Sequence, residues 1–324
     1  MAIRTAVIGL AWAGQQHVER ILLHPDSELA AVCDLVPELA RSTGERLDVP
    51  SFISVEEMLH AVRPDAVVVA TPPRSHAPLT QAAAALGCHV FVEKPMASTL
   101  EACDAMIAAY ESAGRVLMVG HKKRFCTAFR RLKELLDGEL GRPGLFIYRY
   151  PHPYVSEKDW FWDEEDGGGP LLENAVHAAD LLNWLFGPTA SLSVEASGFL
   201  FPHRAPQWNC ASMALRMESG CIGTLTAGMV SVPGMQFEDL YVAAEGGVAQ
   251  VYGDFDNPES LRFCQRGSVA EVQEEAFTGD PFLAELHHFL ACIRDASRPL
   301  TGGPEARAAV ELALRWKSAA RGNL

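Results

Sequence analysis

Along the first third of the chain, hydrophobic positions come in short unbroken runs: Thr5 to Ile8, Leu29 to Cys33, Ala66 to Ala70, Cys88 to Val92 and Val116 to Gly120. Runs of this length, closed by turn residues, predict strands buried on both faces of a parallel sheet. Between them the apolar spacing turns helical, predicting helices that end near Leu23 and span about Pro37 to Arg46, Val55 to Ala61, His76 to Leu86 and Thr99 to Gly114. Strand and helix in alternation predict an α/β, doubly wound parallel sheet over residues 1–120.

After Gly120 the period changes. Ala128 to Leu136 predicts an amphipathic helix, and the stretches that follow alternate apolar with polar: Leu145 to Tyr150, Leu192 to Phe199, Asn209 to Met217, Cys221 to Met229, Leu240 to Glu245 and Leu261 to Arg266. Glu218-Ser219-Gly220 marks a hairpin between two of them. Half-buried strands in succession predict an α+β domain on one broad, mainly antiparallel sheet over residues 121–324, closed by helices near Phe282 to Ala296 and Glu305 to Arg321.

Length and charge narrow the function. The 324 residues suffice for two cores. A net charge of -14 argues against nucleic acid or an anionic membrane as partner. Lys122-Lys123-Arg124 and Arg130-Arg131 are too short to reverse it, and suit a solvated face or a local anion contact. No run nears the eighteen or so apolar residues of a membrane span, and no signal core precedes the first strand. The eight cysteines show no C-x-x-C spacing and read as reduced core residues. A cytoplasmic protein is expected.

The chemistry starts at Gly9-Leu10-Ala11-Trp12-Ala13-Gly14, placed between the first strand and its helix. In a dinucleotide-binding turn the first glycine makes the bend, the second admits the pyrophosphate and the third lets helix pack on strand. Ala11 stands at the second position, where its methyl crowds the phosphates slightly. Asp34 ends the second strand, where an acidic group bonds the ribose hydroxyls and repels a 2′-phosphate, favouring NAD over NADP. A plain turn role before Pro37 is the alternative. Thr71-Pro72-Pro73 and His76 form a rigid rim past the third buried run. Glu93-Lys94-Pro95 follows the fourth, where ligands of open α/β sheets bind. An amine there can exchange protons with a substrate hydroxyl; a solvated lysine paired to Glu93 is the bland reading.

In the second half, Gly167-Gly168-Gly169-Pro170 introduces a stretch of helical spacing from Leu171 to Phe186. Glu173, His177 and Asp180 then fall on one helix face, where flanking carboxylates can fix the histidine's tautomer. A satisfied core histidine and a surface charge ladder remain open alternatives. Two such ligands make no metal site, and none is expected. Trp160, Phe161 and Trp162 suit either core packing or a stacking wall for a sugar ring. Tyr154 and His152 lie in the same connector.

Together the glycine turn, Thr71-Pro72-Pro73, Glu93-Lys94-Pro95, the stretch from Val119 to Phe125 and the segment from Gly167 to Asp180 resemble the glucose-fructose oxidoreductase, inositol dehydrogenase and rhizopine catabolism (Gfo/Idh/MocA) family. The resemblance implies a nicotinamide-dependent oxidoreductase acting on a sugar, cyclitol or related polyol held between a Rossmann domain and the second domain. It implies cofactor contacts from Gly9, Ala11, Trp12, Ala13, Gly14, Asp34, Thr71, Pro72, Pro73, His76, Glu93 and Lys94. Lys94 would bind the reacting oxygen and His177 act as acid or base, with Arg124, Tyr154, Trp160 and Asn174 as further substrate contacts. The family usually has aspartate four residues before the histidine; Glu173 stands there, one methylene longer, and Asn174 is placed to take a substrate hydroxyl. A homodimer or homotetramer paired through the broad sheet is also implied. A ligand sensor on the same fold, and a dehydrogenase of aromatic dihydrodiols or other non-sugar alcohols, are the other readings.

Overall fold

The computed structural model describes residues 2–153, 156–204, 208–229, 234–235, 237–267 and 271–321. Tyr154 lies outside the described residues.

The chain divides into two compact units, the first made of Met1–His121 and Phe282–Arg307. Its sheet is built from β1 (Ile3–Ile8), β2 (Ser27–Cys33), β3 (Ser51–Phe52), β4 (Ala66–Val69), β5 (His89–Val92) and β6 (Leu117–Val119). Helices α1 (Trp12–Leu23), α2 (Pro37–Leu47), α3 (Val55–Val62), α4 (His76–Ala85) and α5 (Leu100–Ala113) connect them. The strands pair in parallel in the order β3-β2-β1-β4-β5-β6. The chain leaves β1 toward one edge and later returns to build the other, so the switch point falls between β1 and β4. Every residue of β4 is buried, as an unbroken apolar run requires. Local chemistry sets the ends of the helices. The side chains of Ser54 and Thr99 accept the Glu57 and Ala102 N–H groups to open α3 and α5, and Gly114 closes α5 in the left-handed region.

The second unit comprises Lys122–Pro281 and Ala308–Leu324. It holds α6 (Thr127–Asp137), β7 (Pro143–Pro151), α7 (Asp159–Trp162), α8 (Pro170–Glu173), α9 (Val176–Phe186), β8 (Thr189–Ser197), β9 (Cys210–Met217), β10 (Ile222–Gly228), β11 (Phe237–Ala244), β12 (Gly247–Asp254), β13 (Ser260–Gln265) and β14 (Gln273–Ala276). Eight strands run in the order β14-β13-β12-β11-β7-β10-β9-β8. All neighbours are antiparallel except β7 and β10, which are parallel. Period-two alternation puts Phe146, Tyr148 and Tyr150 of β7 in the core and leaves Ile147 52 % exposed on the opposite face. Phe186 of α9 stacks on Phe146 at 4.7 Å, and Phe146 also needs Gly223 beside it, because a Cβ there would lie 2.4 Å from its ring.

The chain closes with α10 (Pro281–Asp295) and α11 (Gly303–Arg321). Sequence order assigns everything after residue 120 to the second domain, yet Phe282–Arg307 belongs to the first unit. Val119 N–H donates to Thr301 O at 2.8 Å, and Met118 bridges Gly302 beside the edge strand β6. Helical periodicity shows which face of α10 is apolar and is silent on which sheet it covers. A second correction concerns the stretch from Leu171 to Phe186. It is two helices interrupted at Asn174 and Ala175, so Glu173 and His177 do not share one continuous helix face.

Candidate active site

The turn after β1 is built as a dinucleotide cradle. Gly9 has φ +87, and a Cβ there would lie 2.5 Å from Ala70 O; at Gly14 it would lie 1.8 Å from Gly9 O. Both positions therefore demand glycine. Ala11 has φ -67 and is exposed, so its methyl meets neither restriction. It opens α1 with extended backbone and no side-chain cap, and the first helical bond runs from Gln15 N–H to Ala11 O at 3.0 Å. The N–H groups of Trp12, Ala13 and Gly14 precede that bond, which makes this helix start a fitting seat for a pyrophosphate. Trp12 is 63 % exposed, its ring edge-on to Phe282 at 5.9 Å.

Asp34 serves the turn as well as the site. Its Oδ2 accepts from Leu10 N–H and its Oδ1 from Val36 N–H, both at 2.8 Å. These bonds fix the carboxylate at the end of β2 and leave each oxygen a lone pair for a ribose hydroxyl. The residues present thus fit NAD.

At the end of β4, Ser75 Oγ donates to Thr71 Oγ1 at 2.7 Å and its N–H to Pro72 O at 3.0 Å, which stiffens Thr71-Pro72-Pro73. His76 is fully buried, with Nε2 2.7 Å from Thr71 O and Nδ1 2.9 Å from Pro95 O. It braces the rim against the loop that follows β5. Two facing carbonyls favour an imidazolium, but burial is the larger effect and holds the pKa of His76 below its usual value.

Lys94 stands half-buried at the carboxyl end of β5, and its bond to Pro95 is cis. Glu93 beside it divides its carboxylate: Oε1 lies 2.7 Å from His17 Nε2, and Oε2 accepts the Lys94 N–H at 3.2 Å. Burial alone would raise the Glu93 carboxyl, but the His17 hydrogen bond and charge, followed by Lys94, outweigh it and bring it below its usual range. Glu285 of α10 completes a group with His17 and Glu93 whose nearest donor atoms all lie within 4.8 Å of one another. The three residues are too far apart in sequence for any spacing pattern to have joined them.

In the second unit, His177 is buried in the first turn of α9, Glu173 is half-buried at the end of α8, and Asn174 is buried between them. Asn174 Nδ2 makes no hydrogen bond among the described residues. The same holds for the Tyr150 hydroxyl, a residue the sequence reading missed. Burial, then the charges of Glu238, Asp256 and Glu173, hold that hydroxyl far above the usual phenol pKa. Three cations precede α6. Lys122 pairs with Asp256 at 2.8 Å, Lys123 with Glu238, and Arg124 with Asp180 through Nε and Nη2 at 2.8 and 2.7 Å. All three are buried, which corrects the expectation of a solvated face in favour of local anion contacts. Arg124, expected as a substrate contact, has two of its donors engaged by Asp180, and Trp184 flanks its guanidinium at 5.8 Å.

Around the glycine run, a Cβ at Gly167 would meet Trp160 O at 2.5 Å, and Gly168 has φ +75. Lys317, which no motif flagged, donates to Gly168 O and pairs with Glu164 at 2.9 Å. Phe161, Trp162 and Met229 form a small core, and half-buried Trp160 packs against it. His152 sits edge-on to Phe255 at 4.9 Å.

Comparison with known proteins agrees with this arrangement. Residues 3–121 match the family described as an oxidoreductase family with an NAD-binding Rossmann fold, and residues 129–254 match the GFO/IDH/MocA C-terminal domain. The myo-inositol 2-dehydrogenase of Thermotoga maritima is 26% identical, covering 97% of this chain and 95% of its own. The scyllo-inositol 2-dehydrogenase (NAD(+)) of Bacillus subtilis is 24% identical, covering 96% and 92%. Among solved structures, the WlbA dehydrogenase of Bordetella pertussis in complex with NADH and UDP-GlcNAcA superposes with a TM-score of 0.85 at 25% identity, over 100% of this chain and 98% of that one. The glycine cradle, the Glu93-Lys94-Pro95 turn and both matched domains place the chain in the Gfo/Idh/MocA family of NAD-binding oxidoreductases.

Proposed function

We propose that the protein is an NAD-dependent dehydrogenase that interconverts a secondary hydroxyl and a carbonyl on a sugar, cyclitol or related polyol. The observation that carries this reading is Lys94, half-buried at the carboxyl end of β5 with Glu93 bonded to its backbone, in the unit that also holds the glycine cradle. When bound, the nicotinamide supplies the acceptor or donor for hydride. Loss of hydride from a carbinol carbon requires loss of the hydroxyl proton, and so a base beside the reacting oxygen. In this reading His177 takes that proton, while the Lys94 ammonium holds the oxygen and offsets its developing negative charge. Glu173 orients one of the pair, and the Asn174 amide binds a neighbouring hydroxyl. Trp160 offers an aromatic surface to the ring. Asp34 sets the preference for NAD over NADP. The relatives named as inositol and UDP-sugar enzymes support a polyhydroxy substrate.

The test is to replace each member of the pair and measure binding and turnover separately. Lys94→Met and His177→Ala should bind NADH as the unaltered protein does, more tightly than NADPH. They should lose about a hundredfold to ten-thousandfold in kcat on whichever of a panel of inositols and hexoses the protein oxidises. Near-normal turnover by either variant would overturn the assignment.

A further inference from the structure

Beneath Lys94, three elements of the first unit bring ionisable side chains together. His17 comes from α1, three residues after the last glycine of the cradle; Glu93 ends β5; Glu285 lies on α10. His17 is 1 % exposed and Glu285 is fully buried. The imidazole ring is flanked by Phe91 at 4.8 Å and Phe282 at 5.8 Å, so β5 and α10 fix its plane from two sides. Gly120 keeps space for the carboxylate, since a Cβ there would lie 3.3 Å from all three terminal atoms of Glu93.

A His-Glu-Glu set could hold either a cation or a proton, and the distances choose between them. Two ligands of a tetrahedral zinc, each about 2.0–2.1 Å from the metal, lie about 3.3 Å apart. His17 Nε2 and Glu93 Oε1 are 2.7 Å apart, the length of a charge-assisted hydrogen bond. His17 therefore donates Nε2–H to Glu93 Oε1. Two buried carboxylates at this separation repel each other unless a donor or a positive charge stands among them. His17 is that donor within the trio; Lys94 and, beyond the ring of Phe282, Arg20 are the cations around it, with His76 on the far side of the loop.

We infer that His17 and Glu285 are positioning residues for Lys94: the His17 Nε2–H locks the Glu93 carboxylate, whose second oxygen holds the Lys94 backbone N–H, the negative charge of Glu285 within 4.8 Å of both favours that donor, and the amine is so fixed at the end of β5. The inference rests on the proposed role of Lys94 and extends it. It also joins the cofactor-binding helix to the catalytic strand, since α1 carries both the cradle and His17. A misplacement of about 1 Å at a reacting group can cost about a hundredfold in rate, so loosening the clamp should show in kcat.

The chain has six lysines, at positions 94, 122, 123, 133, 158 and 317, so selective isotope labelling of lysine resolves the Lys94 amide by NMR without any substrate. In His17→Leu the Lys94 amide resonance should move upfield as its hydrogen bond weakens. The kcat on the best panel substrate should fall about ten- to a hundredfold, with the Kd for NADH unchanged within about twofold. His17→Gln keeps an N–H donor and should restore both the resonance and most of kcat; Glu285→Gln, isosteric and neutral, should fall between. If His17→Leu does not fold, the Gln variants carry the test, because they must rank as stated. An unmoved Lys94 amide, a kcat within twofold of the unaltered protein, or failure of His17→Gln to outperform His17→Leu would overturn the clamp. So would one equivalent of tightly bound metal in the purified protein. Lys94→Met separates the two proposals: if it stays active, the reading of the active site fails; if it is inactive while His17→Leu is normal, only the clamp fails.

Discussion

Asp180→Asn tests what Arg124 is for. The guanidinium and the carboxylate meet through two parallel bonds at 2.8 and 2.7 Å, with side chains 5 % and 0 % exposed. An asparagine amide keeps the shape and one acceptor but turns an N–H₂ group toward the guanidinium and removes the carboxylate charge that pairs with it. Breaking a buried pair in this way costs about 3–5 kcal/mol, because the remaining ion stays desolvated without compensation. For a body of this size each kcal/mol shifts Tm by about 2–4 °C, so the melting point should fall by about 6–20 °C. Replacing both partners with apolar residues of similar volume, Arg124→Met with Asp180→Leu, should recover most of that loss. Differential scanning fluorimetry on Arg124→Met, Asp180→Leu and the double variant gives the coupling directly. A fall under about 2 °C for Asp180→Asn would refute the argument. Lost turnover at unchanged Tm would return Arg124 to the substrate, where its motif position first suggested it belongs.

Three further outcomes are expected. Gly14→Ala must displace Gly9 O, which its Cβ would approach to 1.8 Å, and should abolish NADH binding, whereas Ala11→Gly should leave the Kd within about threefold; titration by fluorescence quenching compares them. The pKa of buried His76 is lowered, so the unfolded state binds the extra proton first; the stability it contributes is present above about pH 6.5 and is lost as pH falls below that toward the folded-state pKa. Because Glu238, raised by burial, acts in the opposite sense, the check is that Tm falls more between pH 7.5 and 5.5 in the unaltered protein than in His76→Gln. Finally, the open face of the eight-stranded sheet exposes Leu145, Ile147 and Ile222 and should pair with a second copy, so light scattering at micromolar concentration should give a dimer or tetramer, and Ile147→Lys should shift it toward monomer.

Local pattern sufficed wherever a rule acts over a few residues. Continuous apolar runs specified five of the six parallel strands, because both faces of such a strand are covered; the two-residue β3 (Ser51–Phe52) has no such run and forms by pairing with β2. The glycine turn, Asp34 and the Glu93-Lys94-Pro95 turn could be placed because each follows directly from the end of a strand. Alternation revealed six of the eight strands of the second sheet, but not β12 (Gly247–Asp254), nor β14, whose Gln-Glu-Glu-Ala sequence becomes a strand only by pairing with β13, nor the parallel pairing of β7 with β10, since side-chain period is the same in either direction. The break at Asn174 and Ala175 was equally invisible, as helical spacing continues across it. What required the tertiary structure are the meetings between distant segments. Phe282–Arg307 returns to the first unit, Glu285 joins His17 and Glu93, Asp180 takes Arg124, and Lys317 anchors Gly168. The last three are buried polar groups governed by desolvation: away from water, a charge or donor must find its complement wherever the fold brings one within reach, and that reach is measured in ångströms, not in residues along the chain.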